Sequence, residues 1–167
     1  MNASDTESFT YRPEEPGDAP AIEALLDRAM GPGRHVLTTY RLREGVEPLA
    51  ELGLVSERAG EMVGTVRFWP IVIGGFPALL LGPLAIDPAI RNKGCGLGLM
   101  QRGLELARKA GHKLVILVGD APYYAKAGFE PVPPGHLTLP GPVNPARILY
   151  VELVSGALDE AKGAVRR

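Results

Sequence analysis

The feature that most constrains this chain is an uninterrupted succession of strand, glycine-rich loop, helix and strand over residues 78 to 119. "ALLLGPLAI" (78–86) is an apolar run, and "RNKGCGLGLM" (91–100) sets glycines at 94, 96 and 98. "KLVILVG" (113–119) is continuously apolar, the pattern of a strand covered on both faces. Between them Leu97, Met100, Leu104 and Ala107, widened by Leu99, Gly103, Leu106 and Ala110, predict a helix over 97–110. Gln101, Arg102, Glu105, Arg108 and Lys109 lie opposite, and Gly111 supplies the stop. A helical crossover between two strands makes them parallel, so the stretch is a βαβ unit around which the sheet must be built.

The remaining segments attach to that unit. "FTYR" (9–12) alternates like a short strand, and "DAPAIEALLDRAMG" predicts a helix with Asp18 as N-cap, Pro20 in its first turn and Gly31 as its end. Its apolar stripe is Ile22, Leu25, Leu26, Ala29 and Met30. "TTYRLREG" (38–45) predicts a second short helix. "LGLVSE" (52–57) and "MVGTVRFWPIVI" (62–73) flank the hairpin signal "RAGE", and "GGFP" (74–77) turns the chain into 78–86, which completes an antiparallel meander. Pro83 cannot donate to a ladder, so it marks an edge, a bulge or the strand's end. "DAPYYAKAG" (120–128) predicts a short helix, "FEPV" and "ARILYVELV" (146–154) late strands, and "GALDEAKGAV" a C-terminal helix. Residues 1–7 are expected to be disordered and 8–167 to form one α/β domain.

Composition removes several classes of function. The 167 residues suit one domain with a real core. Eighteen basic and nineteen acidic residues are interspersed for a net charge of −1, which favours neither nucleic acid nor a membrane surface as partner. The single cysteine, Cys95, allows no internal disulfide and no zinc spacing, so no metal is expected. No apolar stretch reaches the roughly 18 residues of a membrane span. The polar start is wrong for a secretory signal, so a cytoplasmic location is expected.

The glycine loop is not a Walker A loop, and the third glycine of a dinucleotide fingerprint counted from Gly94 would fall on Leu99. What remains is a strand leading through small residues into a helix N-terminus, where unpartnered N–H groups and the helix dipole attract anions. With Arg91 and Lys93 beside it, a pyrophosphate fits. A tight turn that only lets the helix pack closely on the sheet fits as well.

Two motifs carry a family resemblance. "RNKGCG" (91–96) resembles the Arg/Gln-x-x-Gly-x-Gly/Ala signature of the GNAT superfamily of N-acetyltransferases, and "YYAKAGF" (123–129) resembles its aromatic-Tyr-x-x-x-Gly-Phe element. The order of elements from about residue 8 to 154 is similar too. "LLLGPLAIDP", "GLELARKAGH" and "LVGDAPYYAKAGF" look most like the bacterial YhbS-like branch of predicted acetyltransferases.

The resemblance implies a single-domain GNAT fold, α/β (α+β), with a mixed central sheet splayed at a cofactor cleft and flanked by helices. It implies an enzyme that moves an acetyl group from acetyl-CoA to a primary amine by direct attack. A non-catalytic acyl-CoA-binding or sensing module of the same fold is the alternative. The main chain of Arg91, Asn92, Lys93, Gly94, Cys95, Gly96, Leu97 and Gly98 would hold the CoA pyrophosphate, and Leu84, Ala85 and Ile86 the pantetheine arm. A backbone N–H near those three residues would stabilise the oxyanion. Tyr124 would protonate the departing thiolate, for which a phenol near its ordinary pKa of about 10 is suited, while Tyr123 packs beside it.

No general base stands out, because 78–86 and 114–118 hold neither carboxylate nor histidine; Glu57, His35 and Glu152 are candidates. Asp87 and Asp120 suit turn and cap positions, and His112 and His136 belong to no motif. Where many relatives carry an asparagine after the second parallel strand, this chain has "VGDAP". The Cys95 side chain is expected to tuck under the loop. The resemblance implies a small-molecule or peptide amine as acceptor, whose identity the sequence does not give, with a homodimer as an option.

Overall fold

The computed structural model describes residues 9–31, 33–34 and 37–167; the expected disordered segment 1–7 and the candidate base His35 lie outside them. In chain order the elements are β1 (Phe9–Pro13), α1 (Ala19–Met30), α2 (Thr38–Arg41), β2 (Leu54–Arg58), β3 (Glu61–Ile73), β4 (Phe76–Ile86) and α3 (Cys95–Lys109). They continue with β5 (Leu114–Val118), α4 (Ala121–Ala125), β6 (Glu130–Pro131), β7 (Leu137–Thr138), β8 (Ile148–Glu152), α5 (Ala157–Glu160) and β9 (Gly163–Arg166). The strands form one mixed sheet in the order β1-β2-β3-β4-β5-β8-β6, with β9 paired to both β3 and β7. Among the described residues no helix is long and apolar enough to cross a membrane.

The meander follows from its turns. Ala59 and Gly60 join β2 to β3, and Gly74 and Gly75 join β3 to β4, all with positive φ. Such two-residue turns match the right-handed twist of the strands they connect. In β4, Leu79 and Leu81 enter the cluster beneath α3, while Ala78 and Leu80 enter the cluster on the other face. Val115 and Leu117 of β5 alternate with Leu114 and Ile116 in the same way. Both faces of the central strands are therefore covered, which explains their unbroken apolar runs. A smaller cluster seats Ile22, Leu25 and Leu26 of α1 on Val55 and Ala85.

Pro83 marks a bulge and not an edge. β4 lies between β3 and β5, and the register steps from Val66↔Leu84 to Phe68↔Leu81, so Arg67 faces both Gly82 and Pro83. The indole N–H of Trp69 donates to the Gly82 carbonyl inside that bulge.

Several expectations are corrected. The segment "GALDEAKGAV" is not one helix: α5 ends at Glu160, and β9 then pairs antiparallel with β3 and parallel with β7. Burial of Val165 against the second cluster, with Ala164 and Arg166 turned out, outweighs the local helical preference. Helix α3 begins at Cys95, two residues before its apolar periodicity does. Asp18 does not cap α1 through its side chain; its carboxylate accepts from Glu15 N at 2.7 Å and pairs with both terminal nitrogens of Arg12 at 2.8 Å. β7 carries no pattern that distinguishes it from a loop.

The junction of β4 and β5 positions everything that follows. These parallel strands pair only at Leu79↔Val115 and Leu80↔Ile116. Beyond them β4 stays with β3 as far as Gly64↔Ile86, while β5 stays with β8 as far as Val118↔Ile148. The sheet is splayed from that point towards the strand ends.

Candidate active site

The splay opens beside the start of α3. After β4, Asp87 accepts from Ala89 N at 3.0 Å and folds the chain into a short turn at Pro88–Ile90. Asn92 and Gly94 then adopt positive φ of 65° and 88°, which swings the backbone into the helix. Gly94 is the N-cap residue and no side chain caps the helix. The first N–H with an intrahelical acceptor is that of Gly98, which reaches Gly94 O at 3.0 Å. The preceding N–H groups have no intrahelical acceptor, and the positive end of the helix dipole lies behind them.

The loop is braced from α1: Arg91 Nη2 donates to Ala29 O at 3.1 Å, and Arg28 pairs with Asp87 at 3.4 Å. A cavity of about 410 Å³ runs from this loop into the splay. Leu84, Ala85, Ile86, Arg91, Asn92, Gly94, Cys95, Gly96 and Leu97 all border it, as does Tyr124. Lys93 and Gly98 do not. Gly98 lies instead under Tyr11, where a Cβ would stand 2.2 Å from the phenol oxygen. Its N–H is used inside the helix, so its smallness serves packing.

Gly96 is open to the cavity and covered by Tyr123, whose hydroxyl would be 2.1 Å from a Cβ there. The Cys95 side chain points the other way. It is buried with Leu99 and Val66, and burial raises its pKa. The loop glycines thus differ in place: Gly94 and Gly96 border the cavity, and Gly98 lets α3 pack on β1.

Tyr124 stands in the gap between the parting strands. Its ring meets Tyr123 edge-on at 5.0 Å and Phe129 at 6.1 Å. A Cβ on Gly119, just past β5, would come 2.3 Å from its Cε2, so only glycine leaves the ring room. This glycine belongs to the "VGDAP" stretch. Burial, reinforced by the neighbouring Tyr123, pushes the Tyr124 phenol up to about 12.

Tyr124, Met30 and Leu84 also border a second cavity of about 90 Å³, walled by Gly82, Pro83, Leu117 and Val118. That one in turn shares Tyr40, Arg43 and Pro83 with a third, of about 240 Å³, on the α1 side. The three spaces adjoin in turn, the first two at the splay and the third beside it, with Tyr124 at the wall between the first two.

The candidate bases are elsewhere. Glu57 pairs with Arg12 at 3.0 Å on the β1–β2 side, and Glu152 accepts from Leu158 N at 2.9 Å to start α5. His136 holds Nε2 between the carbonyls of Leu158 and Ala161 at 2.8 and 2.9 Å. Among the described residues no aspartate, glutamate or histidine borders the first two cavities. Tyr40 and Arg43, which sequence reasoning left inside a nondescript "TTYRLREG", are brought to the inner two. Tyr40 ends up in the short helix α2 and Arg43 in the turn after it, and their i,i+3 spacing was the one sequence signal that links them.

Comparison with known proteins gives a consistent picture. A family model of the acetyltransferase (GNAT) domain matches residues 50–131. The N-acetyltransferase YhbS of Escherichia coli K12 is 31% identical over 157 residues, 92% of this chain and 93% of its own. The N-acetyltransferase YjhQ of the same strain is 31% identical over 74% of this chain and 70% of its own. The crystal structure of E. coli YhbS in complex with CoA superposes with a TM-score of 0.81 at 30% identity, covering 95% of this chain and 89% of that one. A GNAT-family acetyltransferase of Brucella melitensis in complex with acetyl-CoA gives 0.61 at 28% identity, over 90% and 98%.

Proposed function

The chain belongs to the GNAT family of acetyltransferases, and from that premise we propose that it transfers an acetyl group from acetyl-CoA directly to a primary amine. The observation that carries this reading is the pair of adjoining cavities at the β4–β5 splay, with an uncapped helix N-terminus at one end and a buried phenol at the wall between them. Acetyl-CoA brings an acyl group already activated as a thioester. The free N–H groups from Gly94 to Leu97 suit its pyrophosphate, and the Arg91 side chain steadies the loop that presents them. Leu84, Ala85 and Ile86 pair with β3 on one edge only; their other edge, deserted by β5, is free to pair with the pantetheine arm and to donate an N–H to the acyl oxygen.

The acceptor enters from the α1 side through the 90 Å³ passage and reaches the acyl carbon there. Tyr124 borders the passage and the CoA cleft together, and holds the proton that its Oη gives to the departing thiolate. Among the described residues no aspartate, glutamate or histidine borders the passage, so the amine attacks in its neutral form. As the C–S bond breaks and the thiolate takes the Tyr124 proton, the proton shed by the amine returns through water to the Tyr124 oxygen. The test is release of free thiol from acetyl-CoA with a panel of amines. Tyr124→Phe is expected to lower kcat by about 10²-fold or more while acetyl-CoA affinity is kept. Acetyl-CoA binding without thiol release from any amine would mark a binding or sensing module instead.

A further inference from the structure

This inference rests on the transfer reaction above and concerns its acceptor. Four charged side chains border the 240 Å³ cavity, namely Glu23, Arg43, Glu44 and Arg67. Glu23 is held by Arg34 at 2.7 Å, Arg67 by Glu14 at 2.9 Å, and Glu44 lies 3.5 Å from Arg167. Arg43 alone has no carboxylate partner among the described residues. Its guanidinium carbon lies 4.5 Å from the Tyr40 ring centre and 5.6 Å from that of Trp69, and Nη2 abuts Gly82 in the bulge. It hydrogen-bonds to Tyr40, yet Nε and Nη1 are buried with no acceptor. A cation withdrawn from water without a counterion is strongly unfavourable, and aromatic faces compensate only in part. Burial, with a smaller contribution from Arg67, holds its pKa down to about 10, so it stays charged at neutral pH.

We infer that Arg43 anchors the acceptor, and that the acceptor is a small amine carrying a carboxylate. The carboxylate supplies the counterion that Arg43 lacks, and the amine extends through the passage towards Tyr124 and the acyl carbon. The same positive charge disfavours the ammonium form of the amine, which fits a passage bordered by no aspartate, glutamate or histidine among the described residues. The recognition is of anionic oxygen by a guanidinium, and the narrow passage admits the end of a small molecule.

Trp69 is the only tryptophan of the chain and packs against Arg43, so its emission reports on this site without turnover. Succinate and glycine, titrated into the CoA-loaded protein, are expected to change that emission saturably, whereas succinamide and glycinamide are not. Arg43→Met is expected to weaken the carboxylate response at least about tenfold, and Arg43→Lys to fall between the two, because lysine keeps the charge but not the stacked planar fork. In turnover, glycine over glycinamide and 4-aminobutyrate over 1,4-diaminobutane are each expected to be preferred about tenfold or more in kcat/KM. That preference should collapse in Arg43→Met through the acceptor KM, with the KM for acetyl-CoA unchanged.

Equal treatment of carboxylate and amide partners by the wild-type protein overturns the assignment and needs no variant to fold. So does a folded Arg43→Met that keeps the preference. A carboxylate-selective emission change with no thiol release from any amine supports Arg43 while refuting the transfer reaction. Turnover without carboxylate selectivity refutes Arg43 alone.

Discussion

At the scale of single residues, the proposed transfer hinges on where one phenol stands. A Tyr124 pKa near 12 keeps the proton on Oη throughout the neutral and mildly alkaline range. Raising the pH deprotonates the amine and speeds attack, while the acid is not lost until the pH approaches its own raised pKa. The profile of kcat/KM is therefore expected to rise to a plateau, with no descending limb below about pH 9 and any fall above it reporting loss of the Arg43 charge near 10. A fall beginning near pH 8 would show that another group supplies the proton. Gly119 gives a second check, because an added Cβ would displace the Tyr124 ring. Gly119→Ala is expected to lower kcat by roughly 10²-fold, as misplacement of a reacting group by about an ångström does, with less effect on acetyl-CoA affinity.

At the scale of elements, α3 is held to β1 by the absence of a side chain. In Gly98→Ala the new Cβ would lie 2.2 Å from Oη and 2.7 Å from Cζ of Tyr11, a rigid ring already covered by Arg102 at 3.8 Å. Overpacking of that kind costs about 1–3 kcal/mol, and the better helix propensity of alanine returns at most about 1. A lower denaturant midpoint with unchanged slope is expected. Legibility in the sequence follows the same division. The βαβ unit, the hairpins and the place of Tyr124 beside the cleft were readable because each signal is local: a periodicity, a turn pair, a spacing of glycine and aromatic residues. Arg43 was not, since what gives it meaning is Trp69 and Gly82, brought beside it only by the meander and its bulge. β9 was misread for a related reason. Its pairing partners on β3 and β7 are distant in the chain, and the local sequence favours a helix.

At the scale of the whole molecule, a ligand that fills the splay couples its two sides. Acetyl-CoA at about 100 times its Kd is expected to add roughly 2.7 kcal/mol of stability, or an increase in Tm of about 5–10 °C for a chain of this size. ATP or NAD at the same concentration should give a smaller shift; an equal shift would mean that the loop reads only a diphosphate. Acid loosens a different part. Arg12 holds the Asp18 carboxylate at about 2 against an ordinary value of 3.8, so this link between β1 and α1 stabilises the fold above pH 4 and is lost as pH falls towards 2. Asp18→Asn is expected to flatten that part of the acid unfolding curve. Finally, the two-pair junction of β4 and β5 has a consequence for hydrogen exchange. Beyond Leu81, alternate amides of β4 face β3 and exchange slowly, while those between them face an empty edge and exchange fast. The resulting comb of protected and unprotected positions should fill in when a pantetheine arm takes the place of the missing strand.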